Sequence, residues 1–217
     1  MMEINSLAPY LLGAYLLGSI PSAVWVGKAF FNIDVREHGS GNAGATNTLR
    51  VLGKKAGISV LFLDFLKGML ASSLLYFLSN EITPGTQEFR QYQLLLGVVA
   101  VLGHVFPVFA GFRGGKGIAT LLGMVVSISW PVALLCAIVF VLTVWLTKFV
   151  SLGSMIGSVM SGVFVRLIYG PEETFFMYFC IGIGLMVIYT HRANIQRLRM
   201  GTESKFSFNK KPEIEKS

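Results

Sequence analysis

The chain has 217 residues, of which 53% are hydrophobic and 13% charged, with a mean hydropathy of +0.66. Soluble domains carry about 25% charged residues, so this composition excludes a water-soluble fold and points to an integral membrane protein. The formal charge of +7 at pH 7 would suggest a nucleic-acid partner in a soluble protein, but in a membrane protein basic residues first sort between the two faces, and no nucleic acid is expected.

The N-terminus carries Glu3 as its only charge before Lys28. It lacks the positive segment of a cleaved signal peptide and reads as a retained first span, Leu7 to Phe30. The polar stretch NIDVREHGS follows, then GSGNAGATN from Gly39 to Asn47. The latter contains the GxGxxG spelling of dinucleotide-binding loops, but no strand or βαβ unit surrounds it. Its donors Ser40, Asn42, Thr46 and Asn47, with Arg50 just beyond, instead suit an anion cradled by backbone N–H groups.

The second span, Ile58 to Leu78, contains Asp64 and Lys67, three residues apart and so on one helix face. Charges at membrane depth face a partner or a polar cavity, so these two read as an ion pair or as support for a site. The third span, Leu94 to Phe109, carries His104 near its end, where a side chain of ordinary pKa near 6.5 suits proton transfer or ligand orientation.

GFRGGKG then runs from Gly111 to Gly117 with four glycines in seven residues. It is not a Walker A loop, because Ala110 stands six before Lys116 and Gly117 replaces the magnesium-binding Ser or Thr. Cationic Arg113 and Lys116 on a glycine hinge still suit a phosphate. Gly117 to Thr147 has no charge over 31 residues, long for one helix and short for two, with a turn offered at Trp130-Pro131. Cys136 falls here and Cys180 in the last span; both lie in apolar runs without metal-like spacing and read as small buried hydrophobes.

Spans Leu152 to Tyr169 and Thr174 to Tyr189 follow, then the basic segment HRANIQRLRMGTESK from His191 to Lys205. Splitting Gly117 to Thr147 into two spans leaves only Arg90 and Arg166, of 18 Lys and Arg, on the outer face, together with Glu81, Glu88, Glu172 and Glu173. The positive-inside rule therefore favours an all-α membrane protein of seven transmembrane helices, N-terminus outside and C-terminus cytoplasmic. In that arrangement the glycine-rich loops and the segment after His191 share the cytoplasmic face and form one site. Residues 1–205 read as a single transmembrane domain and 206–217 as a solvated tail.

There is no GxSxG elbow, no Ser-His-Asp order, and no DxxD or HExxH cluster, so neither an acyl-enzyme nor a metal is expected. The chemistry this favours is one in which the substrate already carries a good leaving group and the protein positions and neutralises anions.

GSGNAGATNTLRVLG, GHVFPVFAGFRGGKGIAT and HRANIQRLRMGTESK resemble the three signature motifs of the bacterial acyl-phosphate:glycerol-3-phosphate acyltransferases. The likeness extends over essentially the whole chain, including GSIPSA from Gly18 and DFLKG from Asp64. It implies a cytoplasmic active site on the inner membrane that moves a fatty acyl group from acyl phosphate to the sn-1 hydroxyl of glycerol 3-phosphate. Lysophosphatidic acid and inorganic phosphate would be the products, opening phospholipid synthesis without CoA, acyl carrier protein or a cofactor. Matched position by position, the family's first motif falls on Ser40, Asn42, Thr46 and Arg50, its second on His104, Arg113 and Lys116, and its third on His191, Asn194 and Glu203. Arg113 stands where the family often has Lys, replacing a point charge with a planar fork.

On this combined reading Ser40, His104 and Asn194 are catalytic. Asn42, Thr46, Arg50, Arg113 and Lys116 bind substrate, as do Gly114, Gly115, His191 and Glu203, while Asp64 and Lys67 support the site. The proton acceptor is either His104 or a phosphate oxygen of the donor. A transporter of an organic phosphate is the competing reading, since anion-binding loops at one face also suit an entrance, but no inverted repeat is apparent.

Overall fold

The structure, a computed structural model, describes residues 4–78, 82–207, 212 and 214. Expectations placed on Glu3, Glu81 and most of the tail after residue 206 lie outside the described residues. Among those residues the chain is helical throughout, with no strand. It forms two compact units, Met1–Ile128 with Asn209–Ser217, and Ser129–Phe208.

The first unit opens with α1 (Ile4–Ser19) and α2 (Ser22–Phe31), bent by 41° across their junction. The sequence suggested one uninterrupted span here. Pro21 has no N–H to give and its ring clashes with the preceding turn, so the helix breaks. The Ile20 carbonyl freed at the break accepts from the Ser22 N–H at 3.0 Å and from Lys67 Nζ at 2.9 Å. Next come α3 (Ala45–Leu52), α4 (Lys54–Ser73, continued as a 3-10 turn to Leu78), α5 (Gln87–Val105, capped by Thr86) and α6 (Ile118–Ile128).

Small residues let these helices approach closely, the usual device where lipid removes any hydrophobic drive between helices. A Cβ added at Gly68 of α4 would run into the Thr120 carbonyl of α6, and one at Gly123 of α6 into the Phe65 carbonyl of α4. Gly18 and Gly103 do the same between α1 and α5. Leu75, Phe89, Leu96 and Ala100 fill the core beside them. A second apolar cluster, with Ala23, Val35, Val51 and Val60 at its centre, pins α3 and the loop before it to α2 and α4. Ile214 joins this cluster, and its N–H donates to the Val51 carbonyl at 3.1 Å.

The second unit contains α7 (Trp130–Thr147), α8 (Val150–Tyr169), α9 (Thr174–Thr190) and the short α10 (Arg192–Arg199). The break expected at Trp130-Pro131 is present. Ser129 caps α7 by accepting from Val132 N–H, Pro131 sits in the first turn where its missing donor costs nothing, and Tyr169 donates to Ser129 Oγ at 2.8 Å.

Among the described residues five helical segments are long and apolar enough to cross a membrane, or six if the bent α1–α2 pair counts as one span. The remaining apolar helix, α6, has 11 residues. At 1.5 Å per residue it rises about 16 Å, half of a hydrocarbon core of about 30 Å. Length and composition therefore give an integral membrane architecture in which five or six spans are supported by helix length.

Candidate active site

In the first unit the loop between α2 and α3 is organised by Asn47, which is buried in the first turn of α3. Its Oδ1 accepts from the Ser40 N–H at 2.8 Å and the Ser40 hydroxyl at 3.1 Å, while Nδ2 donates to the carbonyls of Val35 (2.9 Å) and His38 (3.1 Å). Gly39 takes φ 60°, and a Cβ there would strike Asn47 Oδ1. Asn47 thus serves its own loop and presents Ser40, which is exposed, alongside half-buried Asn42 and Arg50 and exposed Thr46. Gly44 ends the loop as an N-cap without a side chain, so the first turn of α3 opens toward it.

Replacing Asn47 with Ala should strip these bonds and lower stability by about 4 kcal/mol, at roughly 1 kcal/mol per lost bond. A thermal shift in detergent reads this directly; an Asn47→Ala protein melting like the wild type would remove Asn47 from the loop's framework.

Two further residues, which the sequence did not mark, tie this loop to the glycine-rich one. Arg36 grips Asp34 through a fork, Nε to Oδ1 at 2.9 Å and Nη2 to Oδ2 at 2.7 Å, and extends Nη1 to the Ala110 carbonyl at 2.8 Å. The guanidinium bonded to it holds the Asp34 carboxyl down at about 2, against the opposing effect of burial. Arg36 itself is raised above its usual range by the same hydrogen bond.

The glycine-rich segment folds back over the end of α5. The Gly115 N–H donates to the His104 carbonyl and the Gly114 N–H to the Val105 carbonyl, both at 3.2 Å. Gly111 and Phe112 both take left-handed conformations, φ 61° and 59°, which for an aromatic residue is strained. The turn carries Arg113 outward to an exposed position and leaves Lys116 half-buried.

Beneath it lie three buried polar side chains. Asp64 is 2% exposed, Lys67 5% and His104 5%. Lys67 Nζ stands 2.9 Å from Asp64 Oδ1, as the i,i+3 spacing predicted, and His104 Nδ1 stands 3.6 Å from the same oxygen. Together with Pro21, Ser22, Ala43, Gly114 and Gly115 they line a small pocket.

The second unit brings together another set. The Glu203 carboxylate accepts from Ser151 Oγ and Asn194 Nδ2, each at 2.6 Å to Oε1, and from Arg197 Nε at 2.7 Å to Oε2. Burial raises its pKa, but the three donors outweigh that, and it rests below the usual glutamate range. Gly201, at φ 70°, turns the chain after α10 so that Glu203 comes back against it. His191 Nδ1 lies 2.8 Å from the Val187 carbonyl, which places the proton of a neutral ring on Nδ1 and the lone pair on Nε2. Ser151 is the member of this set that the sequence did not indicate.

Among the described residues no group of three or more His, Cys, Asp or Glu is arranged to hold a metal ion. The hydroxyls and cations of Ser40, Thr46, Arg50, Arg113 and Lys116 are groups that suit an anionic ligand.

The sequence matches the family profile described as glycerol-3-phosphate acyltransferase over residues 8–201. It is 46% identical over 206 residues to a glycerol-3-phosphate acyltransferase of Enterococcus faecalis, covering 91% of each chain. Two crystal structures of PlsY (YgiH), described as an integral membrane glycerol 3-phosphate acyltransferase, resemble it closely. The glycerol 3-phosphate form gives a TM-score of 0.82 at 38% identity, covering 93% of this chain and 96% of that one. The lysophosphatidic acid form gives 0.79 at 37%, covering 94% and 96%.

Proposed function

Because this chain belongs to the glycerol-3-phosphate acyltransferase family, we propose that it draws the acyl group from an acyl phosphate and works at the cytoplasmic face of the bacterial inner membrane. It is a membrane-integral enzyme that acylates glycerol 3-phosphate, and transport is not favoured. The single observation that supports the donor assignment is the pair of glycine-rich loops furnished with cations and hydroxyls, in which the Ser40 hydroxyl donates to the Asn47 amide and not to a histidine or carboxylate base.

An acyl phosphate is a mixed anhydride. The sn-1 oxygen of glycerol 3-phosphate attacks the carbonyl carbon, an ester bond forms, and the carbon–oxygen bond to phosphate breaks with its electron pair leaving on phosphate. The protein's task is alignment and charge neutralisation. Arg50, Arg113 and Lys116 clamp phosphate, while Ser40, Asn42 and Thr46, at the open first turn of α3, donate to phosphate or the developing oxyanion. His191 and Asn194 are assigned to bind and orient the acceptor. Glu203 has its oxygens engaged by Ser151, Asn194 and Arg197, and its negative charge would repel phosphate, so it orients Asn194 instead of touching substrate.

Of the two proton acceptors left open by the sequence, the donor's own phosphate oxygen fits better. The His104 ring is buried with Nε2 against Gly115, where a Cβ would collide with it, so the loop backbone covers the edge of the ring that would have to take the proton. The ester, the released phosphate and one proton then balance without a protein base.

The finer topology follows from charge. If α6 and the bent α1–α2 pair each cross, seven spans result, the N-terminus lies outside and the basic residues gather on the cytoplasmic side.

Kinetics of Arg50→Ala and Lys116→Ala test the clamp. Each should lose about 10²-fold or more in kcat/KM, the usual cost of removing a charge-assisted contact to a developing anion, while melting normally. Normal kinetics in both would sink the reading.

A further inference from the structure

We propose that Asp64 and Lys67 are positioning residues for the glycine-rich loop Gly111–Gly117, acting on it through His104 and through the break at Ile20. The inference rests on the reading that this loop holds a phosphate.

Both charges lie on α4, almost wholly buried, within a helix apolar enough to span the membrane. As a packing device alone the pair has little merit: apolar side chains of similar volume commonly stabilise a protein as well or better. Ionisable groups at such depth are retained for work. What distinguishes this pair is where its free valences go.

Lys67 is shared between Asp64 and the Ile20 carbonyl, 2.9 Å from each. It thereby fixes the place where α1 gives way to α2, and Pro21 and Ser22 of that break form one wall of the pocket. Asp64 reaches the other way, toward His104 Nδ1 on the last turn of α5. His104 in turn meets the loop twice. Its carbonyl accepts the Gly115 N–H, and its Nε2 edge lies against the Gly115 Cα so closely that no side chain fits between them.

The chain of contacts is therefore continuous from the break in the first helix, through a buried charge pair, to the backbone of the loop that carries Arg113 and Lys116. Asp64 attracts the Nδ1 edge of the imidazole across 3.6 Å and so biases its rotation, and the imidazole sets the height of Gly115. None of these groups touches the reacting atoms. Their removal should weaken the phosphate held by the loop while leaving the chemical step intact.

The test compares Asp64→Asn, the double variant Asp64→Leu/Lys67→Met, and Lys67→Arg with Lys116→Ala in the full-length protein in detergent. The double variant removes both charges together and leaves no unpaired ion. We expect it to melt near the wild type, to keep kcat within about threefold, and to raise KM about tenfold for whichever substrate Lys116→Ala affects. Asp64→Asn should show the same KM rise, and Lys67→Arg, which keeps the pair, should restore a near-normal KM. A merely structural role would shift melting without this split.

Wild-type KM in a folded double variant overturns the inference. Should the double variant not fold, Asp64→Asn decides by the same criterion. Should Lys116→Ala itself behave normally, the phosphate reading of the loop fails first, and the two failures are told apart.

Discussion

Gly114→Ala is expected to lower kcat/KM by about 10²-fold or more, the scale of losing a preorganised anion contact. A Cβ at this position would be driven into the His104 carbonyl, with the Val105 carbonyl and Pro107 Cδ each at 2.7 Å. These are backbone and ring atoms at the end of a well-packed helix, and they cannot swing aside as the tip of a flexible side chain would. The loop must lift, breaking the bonds from Gly114 N–H to Val105 and from Gly115 N–H to His104 and carrying Arg113 and Lys116 away from their positions. Gly111 is the control. It sits at φ 61° with nothing near its Cβ direction, so Gly111→Ala pays only for a left-handed alanine, about 1 kcal/mol. Steady-state kinetics of both variants separate the cases: comparable activities would show that the close approach at Gly114 does not govern the loop.

The second large effect is on stability. Glu203→Ala should cost about 3 kcal/mol, because it leaves Ser151, Asn194 and Arg197 without their shared acceptor, and unpaired donors next to a lost charge are expensive. It should also abolish most activity by releasing Asn194. The pH dependence follows from the lowered pKa of Glu203. A carboxylate held below its unfolded value contributes stability in full above the ordinary glutamate range, near 4.3, and loses it as pH falls through its own lower value. Melting curves of wild type and Glu203→Gln should therefore differ at pH 7 and converge only once the pH has fallen below the lowered Glu203 value. A constant difference across that range would show that ionisation of Glu203 is not what the three donors stabilise.

The spans after residue 54 were legible because hydropathy over a long window reports burial in lipid directly, and the break near Pro131 because it interrupts a charge-free run too long for one helix. The break at Pro21 was hidden by the same rule: Leu7 to Phe30 satisfies the length of a span, so nothing in the pattern asked for a division. The seven-span count comes from charge sorting, which is blind to helix length, and the shortness of α6 follows from a charge-free run too short for two full spans.

In the site, Asp64 and Lys67 were legible from their spacing, and the glycine-rich loops from composition. Arg36 was not, because a basic residue beyond the end of a span reads as an anchor, and only the fold brings it to the Ala110 carbonyl 74 positions away. Ser151 was invisible for a related reason: a lone serine at a helix start says nothing until Gly201 returns the chain and places Glu203 beside it. Asn47 was counted as a ligand donor with its neighbours, whereas its amide is spent on the loop that displays them.

On the proposed function, this protein transfers an acyl group from phosphate to glycerol 3-phosphate by itself. The most direct measurement is phosphate release by the purified protein in mild detergent from a synthetic long-chain acyl phosphate, with and without glycerol 3-phosphate, and with acyl-CoA as the control donor. Release should depend on glycerol 3-phosphate and be matched by lysophosphatidic acid, with no product from acyl-CoA. A folded protein that binds glycerol 3-phosphate yet forms product only from acyl-CoA, or from neither donor, would contradict it.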